Sequence, residues 1–589
     1  MSQTRSPKNQ PIAIVGASAL FPGAVEREGF WRDLLAGRDL IEDVPESHWR
    51  IEDYYDPDPS ARDKVYAKRG GFLPKVRFDP MKWGVPPTIM PATDTTQLLA
   101  LIVAQRVLDD ALAGQFGEAL RERTSVILGV TSAQELLGTM VSRLQRPIWQ
   151  KALREVGLPE SEVSAACDRI ADHYVEWQES TFPGVLGNVV AGRIANRLDL
   201  GGSNCVTDAA CASSFSAISM GINELRLGQS DLVIAGGADT MNDIFMYMCF
   251  SKTPALSPTG DCRPFSDRAD GTLLGEGIGM FALERLEDAE RNGHHIYAVL
   301  RGLGASSDGR AKSVYAPAAE GQARALRRAY EQAGYSPGTV ELIEAHGTGT
   351  KAGDAAEVEG LKMVFEAGRS EAPTDAAPWC ALGSVKSQIG HTKAAAGAAG
   401  LFKVVMALHH KALPPTIKID APNPALELDT SPFYLNTEAR PWIRRADHPR
   451  RAGVSAFGFG GSNFHITVEE PTTQTVAPRL RAMPQEMVLV TAPEPDALAE
   501  ACRQLSIEVK TEREHADRDD GMLRFLAYVT QRDFDATAPC RLAVLASDDE
   551  TLADKLDNAA TMVAEGKPFR SPTGIHFGRG DTDGGIAVL

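Results

Sequence analysis

Three residues in this chain stand where their chemistry can be used: Cys211, His346 and His391. Cys211 lies in Asn204-Cys-Val-Thr-Asp-Ala-Ala-Cys-Ala-Ser-Ser-Phe-Ser-Ala217, which reads as a short strand, a turn of small residues and the start of a helix. Phe215, Ile218, Ile222 and Leu225 recur at helical spacing, and Gly228 supplies a stop. A thiol at such a junction faces free backbone N–H groups and the positive end of a helix dipole, and both favour thiolate. A backbone N–H there can also point at a developing oxyanion. His346 stands in Glu344-Ala-His-Gly-Thr-Gly-Thr350, at the end of a predicted strand. His391 stands in Ser384-Val-Lys-Ser-Gln-Ile-Gly-His-Thr-Lys393, just before an Ala-rich helix. Strand and helix ends are where open α/β sheets bind ligands. Each residue alone fits an inert buried side chain. Together they make a Cys-His-His set, with the thiol as nucleophile and the imidazoles polarising a carbonyl.

The elements that must position them alternate in type. Pro11–Gly16, Ser125–Gly129, 204–208, Asp231–Gly237, Ile296–Gly302, Val340–His346 and Phe464–Val468 read as strands, with 204–208 central. Helices are expected at Phe30–Gly37, Gln97–Leu112, 183–197, Gly321–Ala333 and Lys393–His409. Residues 43–95 read as ordered loop, and 134–180 as a charged helical cap. This alternation implies βαβ units in an α/β fold, with halves 11–290 and 291–470 that could be structural duplicates. A linker at 471–485 precedes a smaller α/β pattern at 486–589, with strands Met487–Thr491 and Arg541–Ala546 and helices near Asp496–Leu505 and Glu550–Glu565. That region shows no nucleophile, metal or phosphate motif.

Composition narrows the functions. At 589 residues the chain exceeds one ordinary domain, and its formal net charge of -17 argues against nucleic acid and anionic membrane as general partners. The Arg run at 440–451 reads as a solvated face. Eight cysteines show no zinc spacing, so reduced thiols in a cytoplasm, no metal and no disulfide framework are expected. No apolar run is long enough to span a membrane, and 1–10 reads as a frayed start. Cys205 reads as core. Gly275-Glu-Gly-Ile-Gly279 and Gly347-Thr-Gly-Thr-Lys351 lack dinucleotide and phosphate-loop spacing. Phe457-Gly-Phe-Gly-Gly-Ser-Asn463 reads as a positive-φ turn that offers a backbone donor and an aromatic gate.

In order along the chain, Ile12-Ala-Ile-Val-Gly16 with Phe21-Pro-Gly23, Asp208-Ala-Ala-Cys-Ala-Ser213, Cys262-Arg-Pro-Phe with Gly275-Glu-Gly277, Glu344–Thr350, and Val385-Lys-Ser with Gly390-His391 and Gly458-Phe-Gly-Gly461 resemble the β-ketoacyl synthase family over about residues 10–470. The resemblance implies a thiolase-like duplicated αβαβα ketosynthase fold with a smaller C-terminal α/β linker domain. It implies that Cys211 carries an acyl thioester, that His346 and His391 drive decarboxylation of a malonyl thioester, and that Lys386 supports the His391 loop. Backbone amides of Cys211 and Phe459 would form the oxyanion hole, and Thr348 and Thr350 would contact a pantetheine arm. No cofactor is expected on the chain itself, since phosphopantetheine arrives with an acyl carrier protein. A homodimer is implied as well.

Arg69-Gly-Gly-Phe-Leu73, Phe182–Asn188, Ser251–Ala255 and Met90–Leu99 narrow the likeness to the first ketosynthase of polyunsaturated fatty acid synthases, with enediyne-type and other iterative polyketide synthases as alternatives. Gly584-Gly-Ile-Ala-Val-Leu589 resembles the opening strand of an acyltransferase domain, so 486–589 would be a ketosynthase–acyltransferase linker. A non-elongating chain-length-factor-like partner would lack the cysteine, a decarboxylating loading domain would carry Gln in its place, and a thiolase would need a second cysteine that the match does not supply.

Overall fold

Strand β1 (Ile12–Leu20) is buried along its whole length, as an unbroken apolar run in a sheet covered on both faces should be. It belongs to an eleven-stranded mixed sheet in this computed structural model, which describes residues 10–131, 134–310, 313, 316–372, 378–472, 484–513 and 521–580. The other strands are β2 (Thr124–Gly129), β3 (Asn204–Thr207), β4 (Leu232–Asp239), β5 (Gly277–Arg285), β6 (Ala298–Ser307), β7 (Leu342–Glu344), β8 (Cys380–Gly383), β9 (Phe433–Leu435), β10 (Arg451–Gly458) and β11 (Ser462–Glu469).

Across the sheet one half reads β3-β2-β4-β5-β1, and the other reads β8-β7-β10-β11-β6 with β9 added at its edge. Within each half the strands occur in the same sequential order. Strand β2 is parallel to β3 and β4, while β5 is antiparallel to β4 and β1. Likewise β7 is parallel to β8 and β10, while β11 is antiparallel to β10 and β6. The halves join through antiparallel β1 and β6. The duplication is thus carried by topology, although the sequences of the halves have diverged.

Ten helices matter here: α1 (Arg27–Leu35), α2 (Thr95–Leu112), α3 (Gln134–Arg143), α4 (Arg146–Glu155), α5 (Glu160–Ala171), α6 (Val189–Leu198), α7 (Ser213–Arg226), α8 (Ala319–Ala333), α9 (Lys351–Phe365) and α10 (Ala396–His410). Helix α10 is buried continuously from Ala396 to Leu408, and its Ala and Gly residues let α7 and several strands approach closely. Residues 43–95 hold only short pieces, including Ile51–Tyr54 and Pro87–Ala92.

Three expectations need correction. Strand β3 is not central but forms one edge of the sheet, because among the described residues only β2 pairs with it. Cys205 on that edge is half-buried and packs against the core rather than within it. The Arg run is only in part a solvated face: Arg440 and Arg444 are exposed, but Arg450 is 7% exposed and pairs with Glu470 at 2.6 Å, while Arg451 pairs with Glu469. Helix α9 and strands β5, β8 and β10 are elements that the sequence pattern does not announce.

The chain divides into two compact units, Met1–Gln474 and Thr475–Leu589. The second has its own core around Val488, Leu498, Cys502, Leu542 and Leu556. Its elements are β12 (Glu486–Ala492), α11 (Pro495–Arg513), α12 (Gly521–Arg532), β13 (Cys540–Ala546), α13 (Asp549–Val563), β14 (Phe569–Arg570) and β15 (Ile575–Arg579). The sheet runs β12-β13-β15-β14 with antiparallel pairings. The expectations for 1–9, for the linker at 473–483 and for 584–589 lie outside the described residues. Among the described residues no helix is long and apolar enough to cross a membrane.

Candidate active site

Cys211 sits two residues before α7, in a turn that its neighbours lock. Ala210 adopts a left-handed backbone, φ 50°, which costs a non-glycine residue energy and therefore needs support. Support comes from Asp208, whose Oδ1 accepts the Ala210 N–H at 2.8 Å. Ser213 Oγ accepts the Ala209 N–H at 2.9 Å and donates to the Ala210 carbonyl at 2.6 Å. The opposite wall is the turn between β10 and β11. A side chain at Gly458 would put its Cβ 2.2 Å from the Ala209 carbonyl oxygen, so only glycine allows this approach. Gly460 and Gly461 have φ of +91° and +79°, the positive-φ turn expected from sequence. The close approach brings the Phe459 main-chain N–H onto the Cys211 sulfur. The Phe459 ring itself is 44% exposed.

His346 lies two residues past the end of β7. Glu357 on α9 accepts the His346 and Gly347 N–H groups, each at 2.7 Å, and so fixes the loop. The His346 ring packs on Phe457 at 5.8 Å and meets the His391 ring edge-on at 5.2 Å. His391 is clipped by its main chain: its N–H donates to the Leu273 carbonyl at 2.6 Å, and its carbonyl accepts the Gly275 N–H at 2.9 Å. Its Nδ1 accepts the Lys393 N–H at 3.1 Å. One ligand atom from each of Cys211, His346 and His391 lies within 4.8 Å of the others. A thiol and two imidazoles at this spacing are also donors that suit a soft divalent cation.

Burial governs the protonation states. It pushes the Cys211 thiol up to about 11, against Lys386, the Phe459 N–H and Lys393, which pull the other way. The thiolate expected from the helix start is therefore not the resting form, because desolvation outweighs the favourable charges. Burial, then Lys386, hold both histidines well below 6.5; His391 adds to this at His346, and Lys393 at His391. Both imidazoles are neutral near pH 7. The Lys386 charge acts on Cys211 and both histidines, so its influence is wider than support for one loop.

A cavity of about 330 Å³ connects these groups. Thr348 and Thr350 line it with their hydroxyls 2.9 Å apart. Gln322 on α8 also lines it. Its side chain is 3% exposed, and its amide oxygen has no partner among the described residues. Sequence reading misses Gln322, Glu357 and the buried Asp354, whose carboxylate accepts the Phe265 N–H at 2.7 Å. A usable signal is present: Asp354 and Glu357 are spaced i, i+3 and point to one helix face between small apolar residues.

The duplicated sheet and the thiol facing two imidazoles define a condensing acyltransferase of the thiolase-like ketosynthase fold. The chain belongs to the β-ketoacyl synthase family: the family's N-terminal domain matches residues 9–289, its C-terminal domain 297–420, and the ketoacyl-synthetase C-terminal extension 422–525. Over its full length it is 38% identical to one of the polyunsaturated fatty acid synthase polypeptides of Thraustochytrium sp., and it covers 21% of that protein. It is 33% identical, over 95% of its length, to a polyketide synthase of Bacillus subtilis of which it spans 11%. Among solved structures it resembles the oxazolomycin ketosynthase domain of Streptomyces albus JA3453 (TM-score 0.73, 31% identity, 97% of this chain and 90% of that one). The module 6 ketosynthase of the Bacillus subtilis bacillaene synthase gives 0.70 at 32% identity, covering 97% and 87%.

Proposed function

We propose that this chain performs decarboxylative Claisen condensation of a Cys211-bound acyl chain with malonyl-acyl carrier protein, to extend a polyunsaturated fatty acid. The observation that carries the mechanism is the convergence of the Cys211 thiol, both imidazoles and the Phe459 N–H on one buried cavity. Cys211 attacks the incoming acyl thioester, its proton passes to a neutral imidazole, and the carrier thiolate leaves and takes that proton. Malonyl thioester then enters. Ring N–H groups of His346 and His391 donate to its carbonyl oxygen, so that the electron pair released with CO2 is held as an enolate. The enolate carbon attacks the acyl carbonyl, whose oxygen sits between the N–H groups of Cys211 and Phe459. Collapse expels Cys211 sulfur and leaves a β-ketoacyl carrier thioester. Thr348, Thr350 and Gln322 hold the pantetheine arm of each incoming carrier. Lys386 adds positive charge beside the enolate.

The full-length similarity to a polyunsaturated fatty acid synthase polypeptide supports the product class. A cytoplasmic setting keeps the thiol reduced. Carrier and acyltransferase domains supply the substrates, as suits a chain that spans a fifth of that relative. The chain acts as a homodimer: β3 is an edge strand with half-buried residues, and Leu144 and Ile148, around the start of α4, are 59% and 61% exposed.

Intact-protein mass after incubation with a saturated acyl thioester tests the central step. One acyl adduct should form, and Cys211→Ala should abolish it. An adduct that survives this substitution removes Cys211 as the nucleophile.

A further inference from the structure

The proposed chemistry leaves one buried charge beside the site without a task. Lys393 is 5% exposed, and its ammonium meets three acceptors: Asn242 Oδ1 at 2.5 Å, Asp239 Oδ1 at 2.9 Å and the Gly275 carbonyl at 3.0 Å. Three acceptors use all three ammonium N–H groups, so this lysine has none to offer a substrate. Asp239 is the last residue of β4, and Asn242 is itself fixed by its N–H to Glu276 at 2.7 Å. Glu276 also binds His48 at 2.8 Å. The side chain is therefore anchored to a rigid sheet end.

The main chain of the same residue does something else. Lys393 has φ 47°, a left-handed conformation that a lysine does not hold without help. That conformation aims its N–H at Nδ1 of His391. Gly275 closes the circuit: its carbonyl accepts from the Lys393 ammonium while its N–H donates to the His391 carbonyl. Three hydrogen bonds thus link His391, Lys393 and Gly275 in a ring.

We propose that Lys393 is a positioning residue: anchored by Asp239 and Asn242, it holds the left-handed turn whose N–H fixes the ring of His391 with its remaining proton on Nε2, facing Cys211. This rests on the reading of His391 as a donor to the malonyl thioester carbonyl. Acylation of Cys211 does not require that donor, whereas loss of CO2 does.

Two readouts separate these steps: the acyl adduct by mass, and CO2 released from malonyl-carrier protein. Lys393→Met should lower kcat for CO2 release by about 10–100-fold, the usual range for losing a residue that orients a group in contact with the reacting atoms, with KM for malonyl-carrier protein within about two-fold of wild type and acylation slowed far less, through loss of one charge that favours the Cys211 thiolate. Asp239→Asn should reproduce part of the loss. The double variant should be no worse than Lys393→Met, because both act through one linkage. Lys393→Gln is one bond shorter but keeps two N–H donors, and should recover part of the rate. It also provides the measurement if the methionine variant does not fold. Normal CO2 release in a folded Lys393 variant overturns the proposal, and so does an equal fall in acylation and CO2 release. His391→Ala runs alongside as the control. If it still releases CO2 at the wild-type rate, the reading of His391 fails whatever Lys393 does.

Discussion

The main-chain N–H of Lys393 donates to Nδ1 of His391 at 3.1 Å, whereas Nδ1 of His346 has no partner among the described residues. A neutral imidazole that accepts at Nδ1 must carry its proton on Nε2. His391 therefore enters the reaction as a preset donor, and the tautomer of His346 is left to the substrate. A glutamine side chain reaches the position of Nε2 with an N–H of its own. His391→Gln should then release CO2 from malonyl-carrier protein about tenfold faster than His391→Ala, which is about 1.4 kcal/mol for one retained hydrogen bond. Equal rates for the two variants would mean that donation from Nε2 is not what His391 contributes.

Cys211 tests how burial and charge compete. Its thiol is pushed up to about 11 by desolvation, with Lys386 the largest opposing influence. Below that value the thiolate fraction rises tenfold per pH unit. Alkylation of Cys211 by iodoacetamide should accelerate by about that factor per unit between pH 7 and 10, without a plateau. Lys386→Met removes the largest opposing charge and should slow the reaction further at every pH in this range. Rates are read by peptide mass with a chelator present, since the Cys-His-His set also suits soft metal ions. A plateau reached below pH 8 would show a preformed thiolate, with the helix start winning over burial.

The motif residues are legible because their chemistry needs small, glycine-rich surroundings that stand out in any sequence. Ala210 and Gly458 are examples: one turns the chain at Cys211, and the other admits the Phe459 N–H. Strand order is legible only as alternation. The sequence near Asn204–Thr207 looks like a central strand because it leads to the nucleophile, yet pairing is a tertiary property, and β3 lies at the edge. Helix α9 escapes for a different reason. Reading by apolar period assumes that charges face water, and in Lys351–Phe365 both Asp354 and Glu357 face inward to hold loop N–H groups. Strand β5 is hidden by its own glycines, which read in sequence only as a failed nucleotide motif. Lys393 is visible as a charge before an Ala-rich helix. Its partners Asp239, Asn242 and Gly275 are more than 100 residues away and share no local pattern with it.

Glu344 and Lys403 form a salt bridge of 2.8 Å with both side chains 1% exposed. Glu344 is two residues before His346, and its Oε1 accepts the Val385 N–H at 2.6 Å, one residue before Lys386. One buried carboxylate thus ties the two histidine loops together. Lys403→Met strands that carboxylate and should cost about 3–5 kcal/mol, seen as a lowered denaturation midpoint for the Met1–Gln474 unit. Adding Glu344→Gln removes the stranded charge, keeps an acceptor for Val385, and should restore most of the loss. A single variant as stable as wild type would mean that water or relaxation satisfies Glu344 without Lys403.

Gln322 presents a buried amide oxygen, without a partner among the described residues, to the cavity that Thr348 and Thr350 also line. The oxygen is left for whatever fills the cavity to match, and a buried carbonyl that goes unmatched costs about 1–3 kcal/mol. A pantetheine arm carries amide N–H groups that can offset this when it binds. Gln322→Leu fills the same space without the polar oxygen. The variant should melt no lower than wild type, because an unsatisfied group has been replaced by an apolar one. For acyl pantetheine its KM should rise by about tenfold, the equivalent of about 1.4 kcal/mol. For the same acyl group on a simple alkyl thiol, which has no amide to offer, KM should stay unchanged. Steady-state acylation of Cys211 with the two thioesters measures both. If KM rises equally for both, Gln322 shapes the cavity wall and does not read the arm.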